Sequence, residues 1–362
     1  MFPIITPRKI IVDRSKNLED NAVFIAMAYP EEPVRTTEGP YSALLRFVGM
    51  GKKGWVRAGH ACLIVIKKGS DTFEYFDFGR YITPLGWARA RSVNTDPETV
   101  IDVKAKWKDG KLDNLEELFA WLYKHPEKTR GEGDLYASIS ENANYERLQE
   151  YTSFIINNGI MRYGPFDKEG TNCVRFVSDA LLNCTLDKRI YRKVSALYAL
   201  TPSVLTNVGA SSSDGSYYVA SENGVIHTTK NITMVQASII FDKGKGYENL
   251  YEGNVGKLEE PVDNKKDPAW RWLPGVGYGV WYDIKPVLDA SDTGDTQKFD
   301  VSQYSTQGNL MWRATFETEG DIVPSEYQIS YPSHYGLITL QAGGKLYSIR
   351  KQLGLADRGQ RE

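Results

Sequence analysis

The sequence predicts an α+β fold over residues 1–210, followed by a β-rich domain of the sandwich or barrel-like kind over 216–362. In the first part, short apolar segments typical of buried strands alternate with amphipathic segments at helical spacing. After "ASSSDGS" at 210–216 the helical spacing is replaced by aromatic-rich strand-like segments. Since small polar residues of this kind favour loops, we expect a linker there, between two domains.

Three apolar segments of the first domain are predicted to be strands. They are "AVFIAMAYP" (22–30), "HACLIVIKK" (60–68) and "TFEYFDFG" (72–79). Each is short, rich in β-branched or aromatic residues and bounded by turn residues. A sheet with at least these members is expected.

Helices of the first domain are predicted from apolar residues three and four positions apart. "DNLEELFAWLYKHP" (113–126) begins at an aspartate and ends at a proline, and "NANYERLQEYTSFIINNG" (142–159) ends at a glycine. Both boundaries are typical of helix ends. A third helix begins near Cys173, where Phe176 and Ala180 continue the same spacing. These patterns therefore predict a first domain in which helices pack on a sheet.

The second domain reads as a series of strands separated by turn-rich loops. The predicted strands are "SYYVAS" (216–221), "GVIHTT" (224–229), "MVQASIIF" (234–241), "GVGYGVWYDI" (275–284), "NLMWRATFE" (309–317) and "GLITLQAGGKLYSIRK" (336–351). Just before the fourth, Trp270 and Trp272 alternate and are expected on one face of a strand, either as buried core or as a ligand platform.

Composition excludes several classes of function. Lys and Arg number 44 against 46 Asp and Glu, a net charge of −2, so no basic surplus favours nucleic acid or an anionic membrane. No apolar run reaches the ~18 residues of a membrane span. The opening residues lack the pattern of a signal peptide, which predicts a cytoplasmic protein. The alternative is a periplasmic or cell-surface protein whose export signal is not included in this sequence. The three cysteines form no metal or disulfide pattern, and we expect neither metal nor organic cofactor.

Cys173 is the candidate nucleophile. Thr171 and Asn172 precede it, and both are residue types that cap a helix start. In the first helical turn the free amides and the helix dipole lower a thiol pKa from about 8.5 towards neutrality. The alternative is a small core residue, which is the interpretation we give Cys184.

His60 is the candidate base, because it opens a strand of the same domain as Cys173. A four-residue loop at 67–70 would pair His60 with Asp77 on the neighbouring strand, so that both side chains lie on one face. A carboxylate there would orient the imidazole and support its protonated form. Cys62 shares that face and is an alternative nucleophile, although packing within an apolar strand favours a structural role.

Arginines follow the predicted Asp77 strand, in a segment expected to be a loop. Arg80, Arg89 and Arg91 are candidates to bind a carboxylate or phosphate of a substrate. The alternative is that they are solvated or paired surface arginines.

Three segments resemble families of the papain-like superfamily. "TNCVRFVSDAL" (171–181) resembles the nucleophile element of lecithin retinol acyltransferase-like proteins, and "GHACLIVIKKGSDTFEYFDFGRYI" (59–82) is similar to the histidine strand and following strand of PPPDE-type thiol isopeptidases. "RYGPFDKEGTNC" (162–173) resembles the segment before the nucleophile in NlpC-type cell-wall peptidases. The histidine precedes the cysteine, as in permuted members of the superfamily. The resemblance implies a permuted papain-like domain of an uncharacterised bacterial branch.

By this resemblance Cys173 takes the role of nucleophile and His60 that of base, while the third residue varies among the families. Tyr163 is implied as a candidate for holding the oxyanion, with the Cys173 backbone N–H, and Asn172 is a further candidate. Val174 and Arg175 depart from the small residues that follow the NlpC-type cysteine.

The sequence therefore predicts a thiol-dependent hydrolase of amide or peptide bonds, acting on a peptide, isopeptide or acyl-lipid substrate. Two alternatives stay open: acyl transfer between lipid and amine with the same residues, and a non-catalytic module that binds a peptide or glycan. The sequence does not indicate an oligomeric state.

Overall fold

A computed structural model describes residues 18–35, 51–52, 55–164, 170–198, 203–241, 260–261, 265–276, 278–287, 296–318 and 321–352. The chain divides into two compact units. The first contains most of the described residues up to the helix that ends at Phe241, and the second contains residues 80–85, 94–97 and the described segments from 260 onward. The fold is mixed α+β, as predicted.

An antiparallel sheet of eight strands forms the first unit. Its strands are β1 (Ala22–Tyr29), β5 (His60–Lys67), β6 (Glu74–Gly79), β7 (Trp87–Arg91), β10 (Leu135–Ala143), β11 (Met161–Arg162), β12 (Tyr217–Ser221) and β13 (Gly224–Thr228). They lie in the order β11-β7-β6-β5-β1-β10-β12-β13. Five short strands form two small sheets, one of β2 (Pro33–Arg35), β3 (Gly51–Lys52) and β4 (Trp55–Arg57) and one of β8 (Trp107–Lys108) and β9 (Lys111–Leu112).

Helices cover both faces of this sheet. They are α1 (Leu115–Lys124), α2 (Pro126–Thr129), α3 (Tyr145–Asn157), α4 (Cys173–Cys184), α5 (Lys188–Tyr198), α6 (Val204–Ser211) and α7 (Ile232–Phe241). One face carries Phe24 and Leu63 against α3, α4 and α6, and the other carries Ile25 and Ile64 against α1. Both central strands are buried on the two faces, which explains their continuous apolar sequences.

The three helices predicted for the first domain are present. α1 and α3 begin after asparagines rather than at the first polar residue of the predicted segments, and the Asn144 side chain accepts a hydrogen bond from Arg147 N–H. Gly159, just after α3, has φ +70°, a left-handed conformation that glycine adopts without strain.

The predicted boundary at 210–216 differs from the structure. β12 pairs with β10 and β13 with β12, so both strands belong to the first sheet. Residues 204–211 form α6, and only 212–216 form a turn. The polar stretch joins two elements of one unit, because β10 leaves an edge that β12 covers.

"MVQASIIF" was expected to be a strand and is helix α7. Ile232, Val235 and Ile239 pack against the first core, and they lie three and four residues apart. A short continuous apolar run has no period that separates a strand from a buried helix, which is why this prediction is wrong.

The second unit contains a seven-stranded antiparallel sheet, nearly closed like a barrel. Its strands are β14 (Arg271–Leu273), β15 (Val280–Val287), β16 (Lys298–Tyr304), β17 (Leu310–Thr318), β18 (Gln328–His334), β19 (Leu337–Ala342) and β20 (Lys345–Lys351), in the order β14-β15-β16-β17-β20-β19-β18. At the two ends of that order, the Tyr331 hydroxyl on β18 donates a hydrogen bond to the Pro274 carbonyl just after β14. The β-rich prediction for this part of the chain is confirmed.

Trp270 and Trp272 both contact Trp281 of β15, at ring-centroid distances of 6.3 and 5.0 Å. Trp270 also stacks on Tyr304 at 3.9 Å and is buried. Of the two interpretations of this pair, the structure favours buried packing over a ligand platform. Among the residues that the structure describes, no helix is long and apolar enough to cross a membrane.

Candidate active site

Cys173 is the first residue of α4, as the sequence predicts. Asn172 is the N-cap, and its side-chain oxygen accepts a hydrogen bond from the Arg175 backbone N–H at 2.9 Å. Phe176 and Val177 are fully buried and hold the first turn against the sheet. The thiol thus lies where the free amides of a helix start favour a negative charge. The cap therefore uses the side-chain oxygen of Asn172.

His60 begins β5 and follows Gly59, which has φ +72°. A Cβ at Gly59 would lie 2.7 Å from the Val204 side chain and 2.9 Å from the Tyr29 carbonyl oxygen. Only glycine fits both the conformation and the space. This close packing fixes the backbone directly before the imidazole.

His60 and Asp77 are in contact, as the predicted face requires. The His60 Nε2–H group donates to the Asp77 Oδ2 atom at 3.2 Å. The predicted register is wrong by two residues, because Asp77 pairs with Cys62 rather than with His60. The turn between β5 and β6 is longer than the four residues assumed. A register shift of two residues leaves every side chain on the same face of the sheet, so the side chains of His60 and Asp77 are in contact despite the wrong register.

Two further groups bind the Asp77 carboxylate. The Tyr75 hydroxyl donates to Oδ2 at 2.7 Å, and Arg91 on the neighbouring strand donates to Oδ2 from Nη2 at 2.6 Å and to Oδ1 from Nε at 3.1 Å. Both Asp77 and Arg91 are completely buried. Burial raises the pKa of Asp77, but the Arg91 charge and the bonds from His60 and Arg91 outweigh it and hold the pKa well below its usual range. Asp77 is therefore ionised.

The thiol of Cys173 lies within hydrogen-bonding reach of the His60 imidazole. Because Nε2 of that ring binds Asp77, the Nδ1 atom is the one available to the sulfur. Burial raises the pKa of the thiol, but the hydrogen bond and charge of His60 outweigh it, with help from the Ala61 amide and the Tyr163 hydroxyl. The pKa of Cys173 therefore lies below the usual value of a thiol.

The pKa of His60 moves in the opposite direction. Burial lowers it, but the hydrogen bond that His60 donates to Asp77, the contact with Cys173 and the two negative charges raise it to about 9. A lowered thiol pKa beside a raised imidazole pKa favours a thiolate–imidazolium pair over the neutral pair. Such a pair is a ready nucleophile joined to a proton donor.

The other two cysteines lack these properties. Cys62 is fully buried, and burial together with the Asp77 charge raises its pKa well above the usual value. Burial also raises the pKa of Cys184, at the other end of α4. Both are consistent with the structural roles expected of them, and Cys62 is a poor alternative nucleophile.

Tyr163 joins the site through its hydroxyl group, which reaches the Cys173 thiol. Its ring stacks on Phe78 at 6.3 Å, and its backbone N–H donates to the Gly86 carbonyl at 2.9 Å. The residue as a whole is half-buried. The structure thus brings the implied oxyanion residue to the sulfur.

The arginines differ from the prediction. Arg89 and Arg91 lie in strand β7 rather than in a loop, and both are buried. Arg91 binds Asp77, and Arg89 donates from Nη1 to the Ala90 carbonyl at 3.3 Å. Arg80 is half-buried and belongs to the second unit. Neither is a surface arginine, and Arg91 is engaged with Asp77 rather than available to a substrate.

Two residues of the site were missed by sequence reasoning. Tyr75 shares the face of Asp77 by strand alternation, but nothing in the sequence shows its hydroxyl bound to the carboxylate. Glu32 lies close enough to His60 for their charges to interact; its Oε2 atom accepts a hydrogen bond from the Glu132 N–H at 2.7 Å. Burial raises the pKa of Glu32 to about 7.

In the described part of the chain, no group of three or more His, Cys, Asp or Glu side chains is arranged to hold a metal ion.

Comparison with protein families gives two matches. Residues 24–190 match a family model described as type VI secretion system effector TseH-like. Residues 270–352 match a model described as the DUF6695 C-terminal domain. The first match contains Cys173, His60 and Asp77, and the second lies within the β-rich unit.

Comparison with solved structures gives the crystal structure of the type VI secretion system effector TseH. The sequences are 13% identical, the alignment covers 58% of this chain and 98% of that chain, and the TM-score is 0.36. At these values the fold described above rests on the chain's own strands and helices rather than on this likeness. No curated protein matches the sequence.

Proposed function

We propose that the protein is a thiol-dependent hydrolase of amide or peptide bonds, with Cys173 as nucleophile and His60 as base and acid. The observation that carries the proposal is the contact between a helix-start thiol of lowered pKa and an imidazole that is itself bound to an ionised carboxylate. This geometry is what nucleophilic catalysis by cysteine requires.

The reaction follows from these groups. The Cys173 thiolate attacks the carbonyl carbon of the amide, and a C–S bond forms while the carbonyl oxygen becomes an oxyanion. The Tyr163 hydroxyl and the Cys173 backbone N–H donate to that oxyanion. As the C–N bond breaks, His60 gives its proton to the departing amine. His60 then takes a proton from water, whose oxygen attacks the thioester and releases the acid and the thiolate.

The resemblance to permuted papain-like enzymes and the match of residues 24–190 to TseH-like effectors support this assignment. The match also supports a proposal about context: the hydrolase acts as an effector on a target outside the producing cell. Since Arg91 is bound to Asp77 and Arg89 is buried, neither is proposed as a group that binds an anionic substrate. Peptide and isopeptide bonds are therefore proposed ahead of phosphorylated or strongly acidic substrates.

The first test needs no substrate. The full-length protein is treated with a limiting amount of iodoacetamide at pH 6.5, and the three cysteines are quantified by mass spectrometry of tryptic peptides. We expect Cys173 to be labelled at least about tenfold faster than Cys62 or Cys184, because only its thiolate is populated. Equal labelling of the three cysteines would remove the basis of the proposal.

The second test measures hydrolysis. Peptides, isopeptides and cell-wall peptide fragments are incubated with the wild type, Cys173→Ala and Cys184→Ala. Cys184 is a matched control, since it is a buried cysteine of the same helix outside the site. We expect Cys184→Ala to retain hydrolysis and Cys173→Ala to lose it by a factor of at least about a thousand. Hydrolysis that persists in Cys173→Ala would contradict the assigned nucleophile.

A further inference from the structure

Four groups that can carry charge are buried together in this site. Asp77 and Arg91 have no exposed surface, while His60 is 8% and Cys173 7% exposed. They form a continuous series: Arg91 donates two hydrogen bonds to Asp77, Asp77 accepts from His60, and His60 reaches Cys173. With the thiol ionised and the imidazole protonated, this series carries two positive and two negative charges.

Charges away from water are costly unless opposite charges balance them. Without Arg91, the ionised form of the site would hold two negative groups against one positive group. The most economical way to restore neutrality would then be to return a proton to the thiolate. The guanidinium of Arg91 would therefore affect the protonation state of the Cys173 thiol as well as the position of Asp77.

Building on the proposed function, we propose that Arg91 is a positioning residue for catalysis: its charge, transmitted through Asp77 and His60, keeps Cys173 in the thiolate form. The register of β6 and β7 places Arg91 directly opposite Asp77. Its Nε and Nη2 atoms engage both carboxylate oxygens, which fixes the orientation of the oxygen that His60 meets. Lysine in that position could supply the charge but not the second bond.

The other titratable groups around His60 do not replace this charge. Tyr29 on β1, Cys62 on β5 and Tyr75 on β6 are buried and neutral, and burial raises the pKa of Tyr29 and Cys62. Tyr163 contributes a neutral hydroxyl. Glu32 is acidic, so its ionisation adds negative charge near the imidazole. Among these neighbours Arg91 supplies the positive charge.

The test is the pH profile of Cys173 alkylation in the full-length protein. The rate constant with iodoacetamide is measured from pH 5 to 10 for the wild type, Arg91→Gln, Arg91→Lys and Arg147→Gln. Arg147 is a matched control, because it is a buried arginine of the same unit on α3. We expect Arg91→Gln to shift the profile to higher pH and to slow labelling at pH 6 by at least about tenfold. Arg91→Lys should stay within about threefold of the wild type, and Arg147→Gln should not shift the profile.

Different results overturn different proposals. A wild-type profile with the pKa of an ordinary thiol would refute the proposed function itself. A wild type with a lowered thiol pKa, and Arg91→Gln with the same profile, would refute only the role of Arg91. Equal shifts in Arg91→Gln and Arg91→Lys would also refute it, since the charge would then be immaterial.

Arg91→Gln leaves Asp77 without its ion-pair partner and lowers stability, so thermal unfolding is measured alongside every profile. If that variant does not fold, its profile and that of the wild type are measured in concentrated sucrose, which favours the folded state. Arg91→Lys, which keeps the charge, gives a second test, and the proposal requires it to stay near the wild-type profile. A folded Arg91→Lys variant whose labelling at pH 6 is slowed by about tenfold or more would overturn the proposal.

Discussion

Replacing Asp77 by asparagine preserves the volume of the side chain but removes its charge and one acceptor atom. In the wild type, Oδ2 accepts from Tyr75 at 2.7 Å, from Arg91 at 2.6 Å and from His60 at 3.2 Å. An amide nitrogen at that position would face three donors. If the amide turned its oxygen there instead, its nitrogen would face the Arg91 Nε–H group, which lies 3.1 Å from Oδ1.

The cost follows from the burial of both partners. Arg91 has no exposed surface, so its charge would have neither water nor a carboxylate to compensate it. Breaking one partner of a buried ion pair typically costs about 3–5 kcal/mol. We therefore expect Asp77→Asn to lower the free energy of unfolding by about 3–5 kcal/mol, a large part of the stability of an ordinary domain. The pKa of His60 should fall below its ordinary value, because burial would then act without the carboxylate.

Urea unfolding at pH 7 of the wild type, Asp77→Asn, Arg91→Met and the double variant measures this cost. Each single variant leaves a buried group without its partner, whereas the double variant leaves none. We expect the double variant to be more stable than the sum of the single effects predicts, with a coupling of at least about 2 kcal/mol. Alkylation of Cys173 at pH 6 should also fall by more than about tenfold in Asp77→Asn, since the imidazolium is no longer stabilised.

Two results would refute this reasoning. One is an Asp77→Asn variant within about 1 kcal/mol of the wild type, which would mean that water reaches Arg91. The other is strict additivity in the double variant, which would mean that Asp77 and Arg91 do not depend on each other. Either would require a site more open than the structure describes.

Further predictions concern the supports of the site and its pH dependence. Gly59→Ala should lower the free energy of unfolding, measured in urea, by about 2 kcal/mol or more, because the new Cβ would strain the backbone and clash with Val204. Gly69→Ala is the control: Gly69 has φ +86° but no atom within 4 Å of the added Cβ, so the loss should be only about 1 kcal/mol. Asn207→Ala should cost about 1–3 kcal/mol by the same assay, because the buried amide donates to the Val174 carbonyl at 2.8 Å in the first turn of α4; Asn207→Asp should be no better, since its carboxylate cannot donate. The raised pKa of Glu32, about 7 against 4.5, means that the folded state binds its proton more tightly. Its contribution to stability is complete below pH 4.5 and is lost as the pH rises through 7, so unfolding free energies measured from pH 4 to 8 should fall more steeply for the wild type than for Glu32→Gln.

The contact between the His60 and Asp77 side chains could be predicted from the sequence, because side chains along a strand alternate between its two faces with a period of two. The loop length was wrong, and the register with it, but an error of two residues returns each side chain to the same face. An error of one would have placed Asp77 on the other face. The helix start at Cys173 was predictable for a similarly local reason, since capping side chains act within three residues.

The environment of Asp77 could not be predicted in the same way. "WARAR" carries two arginines, and charged residues of this kind are mostly exposed. Their burial depends on β7 pairing with β6, which sets Arg91 opposite Asp77. Similarly, the membership of β12 and β13 in the first sheet depends on the free edge of β10. These contacts join residues that are far apart in the sequence, so no local sequence pattern predicts them.

The three cysteines show that the pKa of a thiol in this protein depends on the groups that contact it. Cys62, Cys173 and Cys184 are all buried, and burial alone raises the pKa of a thiol. For Cys184 that effect is barely opposed, and its pKa is raised. For Cys62 the charge with the largest effect is that of Asp77, which has the wrong sign to stabilise a thiolate. Only Cys173 combines a helix start with an imidazole whose own charge is held by an ionised carboxylate. Since burial is common to all three, the lowered pKa of Cys173 must come from its contacts, among which the His60 imidazole has the largest effect.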